Sequence, residues 1–330
     1  MNRPTLIPGL PRLWRGPAEL QIGSDPARAL LLQLPDRRVA QVLDLLDGTR
    51  SERLVVLRAA ELGVPADECR SLLATLQQAG LVLPRSALLP KGRTDHLTGE
   101  AAALALRDSG PPADVLRRRQ TAQVVLAGQG RLAAGIAVTL VEAGVGHVHP
   151  DVAGAVRPGE LAGGPLRASD VGRPRRAAIS DAISRVTGPT GGRQGPADLV
   201  VQFDHDQPVN LLAAAMAARR QAHLTVTIRE GAVVIGPLVP ASGQPCLNCL
   251  DLHRKDRDST WPGPPATASV PEPCAVTTLL AATAFAAGEV LAFLDGGRPP
   301  TAGATIELTS PGRVRRRTWP AHPSCPCARQ

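Results

Sequence analysis

Four of the six cysteines in this chain fall into two tight pairs set about 75 residues apart, Cys246-Leu-Asn-Cys249 and Cys325-Pro-Cys327. Two thiolates one turn apart, completed by a second close pair, form the tetrahedral sulfur set of a zinc site. The second pair is C-x-C, which is tighter than C-x-x-C but still workable. A disulfide, or simple clustering, is the competing reading. With four sulfurs the metal has no open coordination position, so zinc is expected to hold the fold rather than to react. In that arrangement the C-terminal tail is stapled onto the middle of the chain.

At 330 residues there is room for one large domain and a small one. Tyrosine is absent and aromatics are scarce, so leucine, valine and alanine must fill the core. The formal net charge is +8, almost all of it arginine; Lys91 and Lys255 are the only lysines. A basic chain raises nucleic acid as a partner. Here the arginines are scattered and few rings are available to stack on bases, so nucleic acid is not the expected partner. Pro4, Pro8, Pro11 and Pro17 break the N-terminal stretch, which has no signal-peptide pattern. No uninterrupted run of 18 apolar residues is found, so no membrane partner is expected. A cytoplasmic location is expected, and it suits reduced cysteines.

Residues 1–90 read as a small α+β, winged-helix-like domain. Arg12–Arg15, Glu19–Ile22 and Ala29–Leu34 have the pattern of short strands between Gly-Pro and Ser-Asp-Pro turns. Helices follow over Val39–Leu46, from an N-cap at Thr49–Ser51 to Glu61, and over Pro65–Ala79, with Gly48, Gly63 and Gly80 as stops. Leu81–Leu83 returns as a strand. The third helix carries Asp67 and Glu68 against Arg70, a poor charge pattern for reading a DNA groove. Cys69 on that helix reads as a packed thiol. Residues 91–118 read as a linker with one helix over Gly99–Arg107 and a charged Arg117-Arg-Arg119 run.

Residues 119–330 read as an α/β, Rossmann-like domain. Ala122–Ala127 is a short apolar strand, followed by Gly128-Gln-Gly130-Arg-Leu-Ala133, a helix to Ala143, a Gly144-Val-Gly146 turn and a strand over His147–His149. The first glycine permits the tight turn, the second lets a phosphate reach the backbone, and the small Ala133 lets helix and strand pack closely. Free N–H groups and the dipole at the helix start favour a phosphate there. Asp151, just past the second strand, is placed for a ribose. The alternation continues through a helix after Gly172-Arg-Pro-Arg175, a strand over Asp198–Phe203 and a helix over Val209–Gln221. Strands over His223–Ile228 and Ala232–Ile235 then lead into the first cysteine pair.

These pieces together resemble the ThiF-type family, the relatives of MoeB and of ubiquitin-activating enzymes. The resemblance rests on the glycine loop with Ala143-Gly-Val-Gly146, the Gly172-Arg-Pro-Arg175 step, Ala197–Asp204, Ile235–Pro240 and the two cysteine pairs. It implies binding of ATP and Mg2+ and adenylation of the C-terminal carboxylate of a small protein or peptide, usually by a homodimer. Carried over by position, Gly128 and Gly130 form the nucleotide loop and Asp151 is the ribose carboxylate. Arg175 stands at the family's phosphate-binding lysine, and Asp204 or Asp206 would hold magnesium. Arg131 replaces a further glycine. The family's Asn-x-x-Arg-Gln segment has no counterpart in 151–170, where Arg157 and Arg167 are the only arginines.

The N-terminal domain resembles the peptide-recognition modules of ribosomal-peptide biosynthesis, including the relatives of PqqD, through Leu43–Ser51 and Leu72–Leu83. That implies a peptide added as an extra strand beside the sheet and the third helix. A purely structural module is the alternative.

Cys274 precedes a long apolar helix, Thr277–Leu294; a thiol at a helix start is a candidate nucleophile, with a buried packing residue as the plain reading. The charges that follow Cys249 read as a loop pinned by ion pairs. Two other functions compete with adenylation. One is a scaffold with a decayed nucleotide site that presents a leader peptide to a partner modification enzyme. The other, an NAD-dependent oxidoreductase, lacks a catalytic Tyr-Lys or His pair.

Overall fold

A computed structural model of the chain describes residues 3–92, 94–107, 110–188, 195–205, 207–241, 243–263 and 272–329. It divides into two compact units, Met1–Arg117 and Arg118–Gln330.

The first unit opens with β1 (Pro4–Leu6), β2 (Arg12–Trp14), β3 (Glu19–Ile22) and β4 (Leu30–Gln33). β2, β3 and β4 form an antiparallel meander, with Leu20, Ile22 and Leu32 buried on one face. Arg37–Leu45 is a 3-10 helix rather than an α-helix, started by the Asp36 carboxylate accepting from the Arg38 N–H. α1 (Glu52–Glu61) is capped by Ser51, and α2 (Ala66–Gln78) buries Cys69, Leu72, Leu73 and Leu76 at helical spacing. β5 (Val82–Pro84) does not join the meander; it pairs with β1, so this unit has two small sheets. The stretch read as a linker is structured. After the single turn α3 (Arg85–Leu88), α4 (Thr98–Arg107) and α5 (Pro112–Thr121) form, and Leu88, Leu97, Ala101, Leu104 and Leu116 make a core of their own.

The second unit is built on a seven-stranded sheet. In chain order its strands and helices are β6 (Gln123–Gly128), α6 (Ala133–Glu142), β7 (His147–Val152), α7 (Arg175–Thr187), β8 (Leu199–Gln202), α8 (Val209–Ala218), β9 (His223–Arg229), β10 (Ala232–Val239), α9 (Leu247–Arg257), α10 (Val276–Leu294), β11 (Ala304–Ser310) and β12 (Arg313–Thr318). The strand order is β12-β11-β10-β9-β8-β6-β7. β7, β6, β8 and β9 are parallel, and β9 to β12 continue as an antiparallel meander. The chain leaves β6 towards β7 on one flank and returns to β8 on the other, so the strand order reverses at β6. In open α/β sheets the crevice for a ligand lies at the carboxyl ends of the strands at such a reversal.

α6, α7 and α10 share one hydrophobic core with the sheet, filled by leucine, isoleucine, valine and alanine, with the ring of Phe203 buried among them. α10 has 19 residues and a mean hydropathy of 1.7, enough by length and composition to cross a membrane. Here it is a core helix: Leu279, Ala282, Ala286, Ala287 and Val290 are buried, and buried Glu289 accepts from the Thr301 N–H at 2.8 Å. Arg119, read from sequence as part of a charged linker, is fully buried. Its guanidinium grips Asp295 just past the end of α10 at 2.8 and 2.7 Å and also donates to the Ala143 carbonyl. α8 and α9 pack with Val239 and Trp319 in a second cluster that contains the paired cysteines.

Candidate functional site

Cys246 caps α9 and Cys249 lies on its first turn, so both sulfurs emerge from one helix end. Trp319, buried and donating from Nε1 to the Thr305 hydroxyl at 3.0 Å, sets the exit of β12 so that the tail returns to that end. The sulfur separations are 3.8 Å for Cys246–Cys249, 3.5 Å for Cys246–Cys325 and 3.2 Å for Cys249–Cys327. Four sulfurs at ~2.3 Å from a tetrahedral zinc stand ~3.8 Å apart. The set is compatible with zinc, and all six cysteines are unbridged. Burial opposes ionisation of Cys325, but donation from the Cys327 backbone and the Asn248 amide outweighs it and holds this thiol below the ordinary thiol range.

The residues after Cys249 are helical rather than a loop. Lys255 pairs with Asp251 at 2.8 Å and Asp256 with His322 at 2.8 Å. The Ser324 N–H donates to His322 Nδ1, so the ring proton sits on Nε2, facing Asp256. His253 Nε2 bonds the Pro320 carbonyl. These groups clasp the tail beside the sulfurs.

At the sheet reversal, β6 ends on Gly128 with φ of +105°. A Cβ there would lie 2.6 Å from the Asp204 carbonyl oxygen and 2.8 Å from the Gln202 amide nitrogen, so the close approach of the two strand ends requires glycine. The Gln129 N–H donates to the Asp204 carbonyl at 2.8 Å, tying the loop to the end of β8. Gly130 follows with φ of +142°, and buried Ala133 opens α6. β7 runs three residues further than the sequence pattern predicts. Asp151 therefore lies within it, exposed and in register with Ala127. Asp204 is half-buried beside the loop; burial and the neighbouring Glu272 charge push its carboxyl up to about 6, against the pull of Arg229. Asp206 lies outside the described residues.

The expected phosphate cations are placed differently from the sequence reading. Arg175 is buried and forms a bidentate pair with buried Glu160 at 2.9 and 2.7 Å. It also donates to the carbonyls of Ala153 and Ala155. Arg157 and Arg167 are exposed. The Arg131 N–H, at the start of the loop's helix, donates to the Glu272 carboxylate at 3.2 Å, and its guanidinium donates to the carbonyls of Glu272 and Cys274. A carboxylate thus sits on the backbone donor where a phosphate is expected. Burial raises the Glu272 carboxyl, although the Arg131 N–H opposes it. Cys274 lies one residue before the cap of α10, with its sulfur 3.7 Å from the Ala275 carbonyl. Burial pushes this thiol up despite the Arg131 guanidinium, and the side chain packs partly buried against the core.

A cavity of about 530 Å³ opens on the other flank of Asp204, along the ends of β8, β9 and β10 and under α9. Asp204, Arg229, Arg254 and Trp261 line it, together with apolar side chains.

Neither a protein-family model nor a curated protein sequence matches this chain. Solved structures do. Escherichia coli MccB with ATP aligns with a TM-score of 0.64 and 15% identity over 98% of this chain and 99% of that one. The microcin C7 biosynthetic enzyme MccB in complex with N-formylated MccA aligns equally well, with the same TM-score, identity and coverage. The heterocyclase TruD aligns at 0.60 and 17% identity over 99% of this chain but 43% of its own. The chain has the fold of MccB. That likeness extends over both units and includes a Rossmann-like α/β sheet, while at this identity it concerns the fold alone.

Sequence reasoning picked out Gly128, Gly130, Arg131, Asp151, Asp204 and the four cysteines, and the structure gathers the first five around the end of β6. It missed Glu160 and Glu272, which lie in segments without a periodic pattern. It also missed Arg229 and Arg254, which look like ordinary charges at a strand end and in a charged helix. Only the folded sheet brings those two to one cavity.

Proposed function

We propose that this chain is a peptide-modification protein of the ThiF type, which activates the C-terminal carboxylate of a peptide with ATP. One observation carries the reading: at the sheet reversal the Gly128–Gly130 turn, the helix start behind it, and the carboxylates Asp151 and Asp204 converge from three neighbouring strands. The turn and helix N–H groups suit phosphates, Asp151 a ribose and Asp204 magnesium. In the step itself a carboxylate oxygen bonds to the α-phosphorus and pyrophosphate leaves; the protein positions the groups and neutralises charge. The four cysteines would hold one structural zinc. The N-terminal unit would hold the peptide, supported by edge strands β2 and β4 with Leu13, Trp14 and Leu31 exposed. The structures of MccB with ATP and with its peptide MccA support the same plan.

A second reading, a scaffold that presents a leader peptide to a partner enzyme, is favoured by Glu272 on the loop and by the engagement of Arg175 with Glu160. Calorimetry with ATP, with and without magnesium, separates the two. Binding that needs magnesium, falls about tenfold or more in Asp151→Ala and tightens in Glu272→Gln supports activation, as does peptide-dependent pyrophosphate exchange. No ATP binding by either the native chain or Glu272→Gln leaves the scaffold.

A further inference from the structure

Arg229, at the end of β9, and Arg254, on α9, reach the 530 Å³ cavity from opposite elements. Both are half-buried, and among the described residues neither guanidinium has a hydrogen bond or an ion pair. Arg254 stacks between Trp261 and Trp319, with its carbon 5.6 and 5.9 Å from the two ring centroids, which fixes its direction without satisfying its N–H donors. The charges of Asp204 and Glu307 act on Arg229, but among the described residues neither forms an ion pair with it. Two like charges desolvated beside each other cost stability unless an anion joins them. Burial and the Arg229 charge accordingly depress Arg254, to about 10. Phe203, Ile228, Val234, Leu247 and Leu250 form an apolar part of the wall, and Gln202, Thr225, Thr227 and the acids Asp204 and Glu230 also line the cavity. No residue of the glycine loop lines the cavity.

We propose that this cavity is a specificity site for the end of a peptide, in which Arg229 and Arg254 grip a carboxylate while the apolar walls take an aliphatic side chain. Planar guanidinium forks match a carboxylate in bidentate fashion, and the apolar walls select a chain with an anionic end over a small inorganic anion. This deepens the peptide-activation reading, on which the choice of a peptide as ligand rests.

The test uses the full chain without nucleotide, so it stands apart from any outcome with ATP. The probes are N-acetyl-Leu-Leu, its C-terminal amide, and inorganic pyrophosphate, followed by calorimetry and by tryptophan fluorescence. The acid is expected to bind about tenfold or more tighter than the amide and to perturb tryptophan emission, with pyrophosphate failing to displace it. Arg229→Met and Arg254→Met are each expected to lose about fivefold or more in acid affinity while melting at or above the native temperature, since each removes an unpaired charge. Equal binding of acid and amide, absence of acid binding, or displacement by pyrophosphate overturns the proposal. So does a marked loss of stability in both variants, which would make the arginines structural. The comparison of acid with amide on the native chain decides even if a variant fails to fold.

Discussion

Replacing Arg175 by alanine should unfold the second unit before it affects any ligand. Arg175 and Glu160 are each 7% exposed and share two hydrogen bonds, and the same guanidinium donates to the Ala153 and Ala155 carbonyls. Its Nη1 also packs where a Cβ on Gly154 would come within 3.0 Å, so the side chain is locked in place. Removing one partner leaves a buried carboxylate without compensation, at a cost of ~3–5 kcal/mol. For a unit of about 200 residues each kcal/mol lowers Tm by ~2–4 °C, which gives a fall of ~6–20 °C. Glu160→Ala should cost a similar amount, whereas Glu160→Met with Arg175→Met should recover most of it, because two apolar side chains can replace a buried pair at little net cost. The assay is a double-variant cycle read by urea midpoints and thermal melts, with ATP calorimetry alongside. If Arg175→Ala loses less than ~1 kcal/mol while ATP affinity collapses, the arginine is a phosphate ligand and the reasoning fails.

The cysteine cluster should carry one zinc per chain by atomic emission; Cys249→Ala should lose it and lower Tm by on the order of 10 °C, because metal binding is part of the folding free energy. Metal-free native protein of unchanged stability would rule the site out. His223 is buried; among the described residues its Nε2 has no hydrogen-bond partner, while Nδ1 sits 2.9 Å from the Gln221 carbonyl. Burial holds its pKa below the ordinary 6.5, against the Gln221 bond. Below that value the unfolded chain binds a proton that the folded chain refuses. This part of the stability is therefore complete above about pH 6.5 and is lost as pH falls towards the depressed folded value. Urea midpoints between about pH 5 and pH 7.5 should fall more steeply for the native chain than for His223→Gln, and parallel curves would refute this. In Gly146→Ala the new methyl would meet the Gln120 carbonyl oxygen, which stands 1.8 Å from an ideal Cβ. A loss of ~1–3 kcal/mol is expected by denaturant midpoint, and an unaltered midpoint would show that the turn after α6 yields.

Much of the second unit was legible because its signals are local. Alternating strands and helices, glycine stops and the two cysteine pairs each depend on a few adjacent residues, and they placed β6, α6, β8 and α10 within a few positions. The signals failed where partners lie far apart in sequence. β5 was legible as a strand but its partner was not: it pairs with β1, which has only three residues and no period to detect. β10 continues through Gly236-Pro237 because β9 and β11 flank it on both sides; a Gly-Pro step alone reads as a stop. Residues 91–118 looked like a linker from their prolines and charges, yet Arg119 just beyond them is buried by Asp295, which lies 176 residues later in the chain.

The sequence by itself determined that a glycine turn would stand at the head of an α/β unit and that four thiols would be available to hold its tail. Residue type and spacing are enough for both. Only the tertiary structure decided the charge balance of the site. Arg175 faces Glu160, Glu272 rests on the Arg131 N–H, and Arg229 and Arg254 meet unpaired in one cavity. A charge takes its role from what surrounds it in space, and that surrounding is assembled from segments the chain keeps far apart.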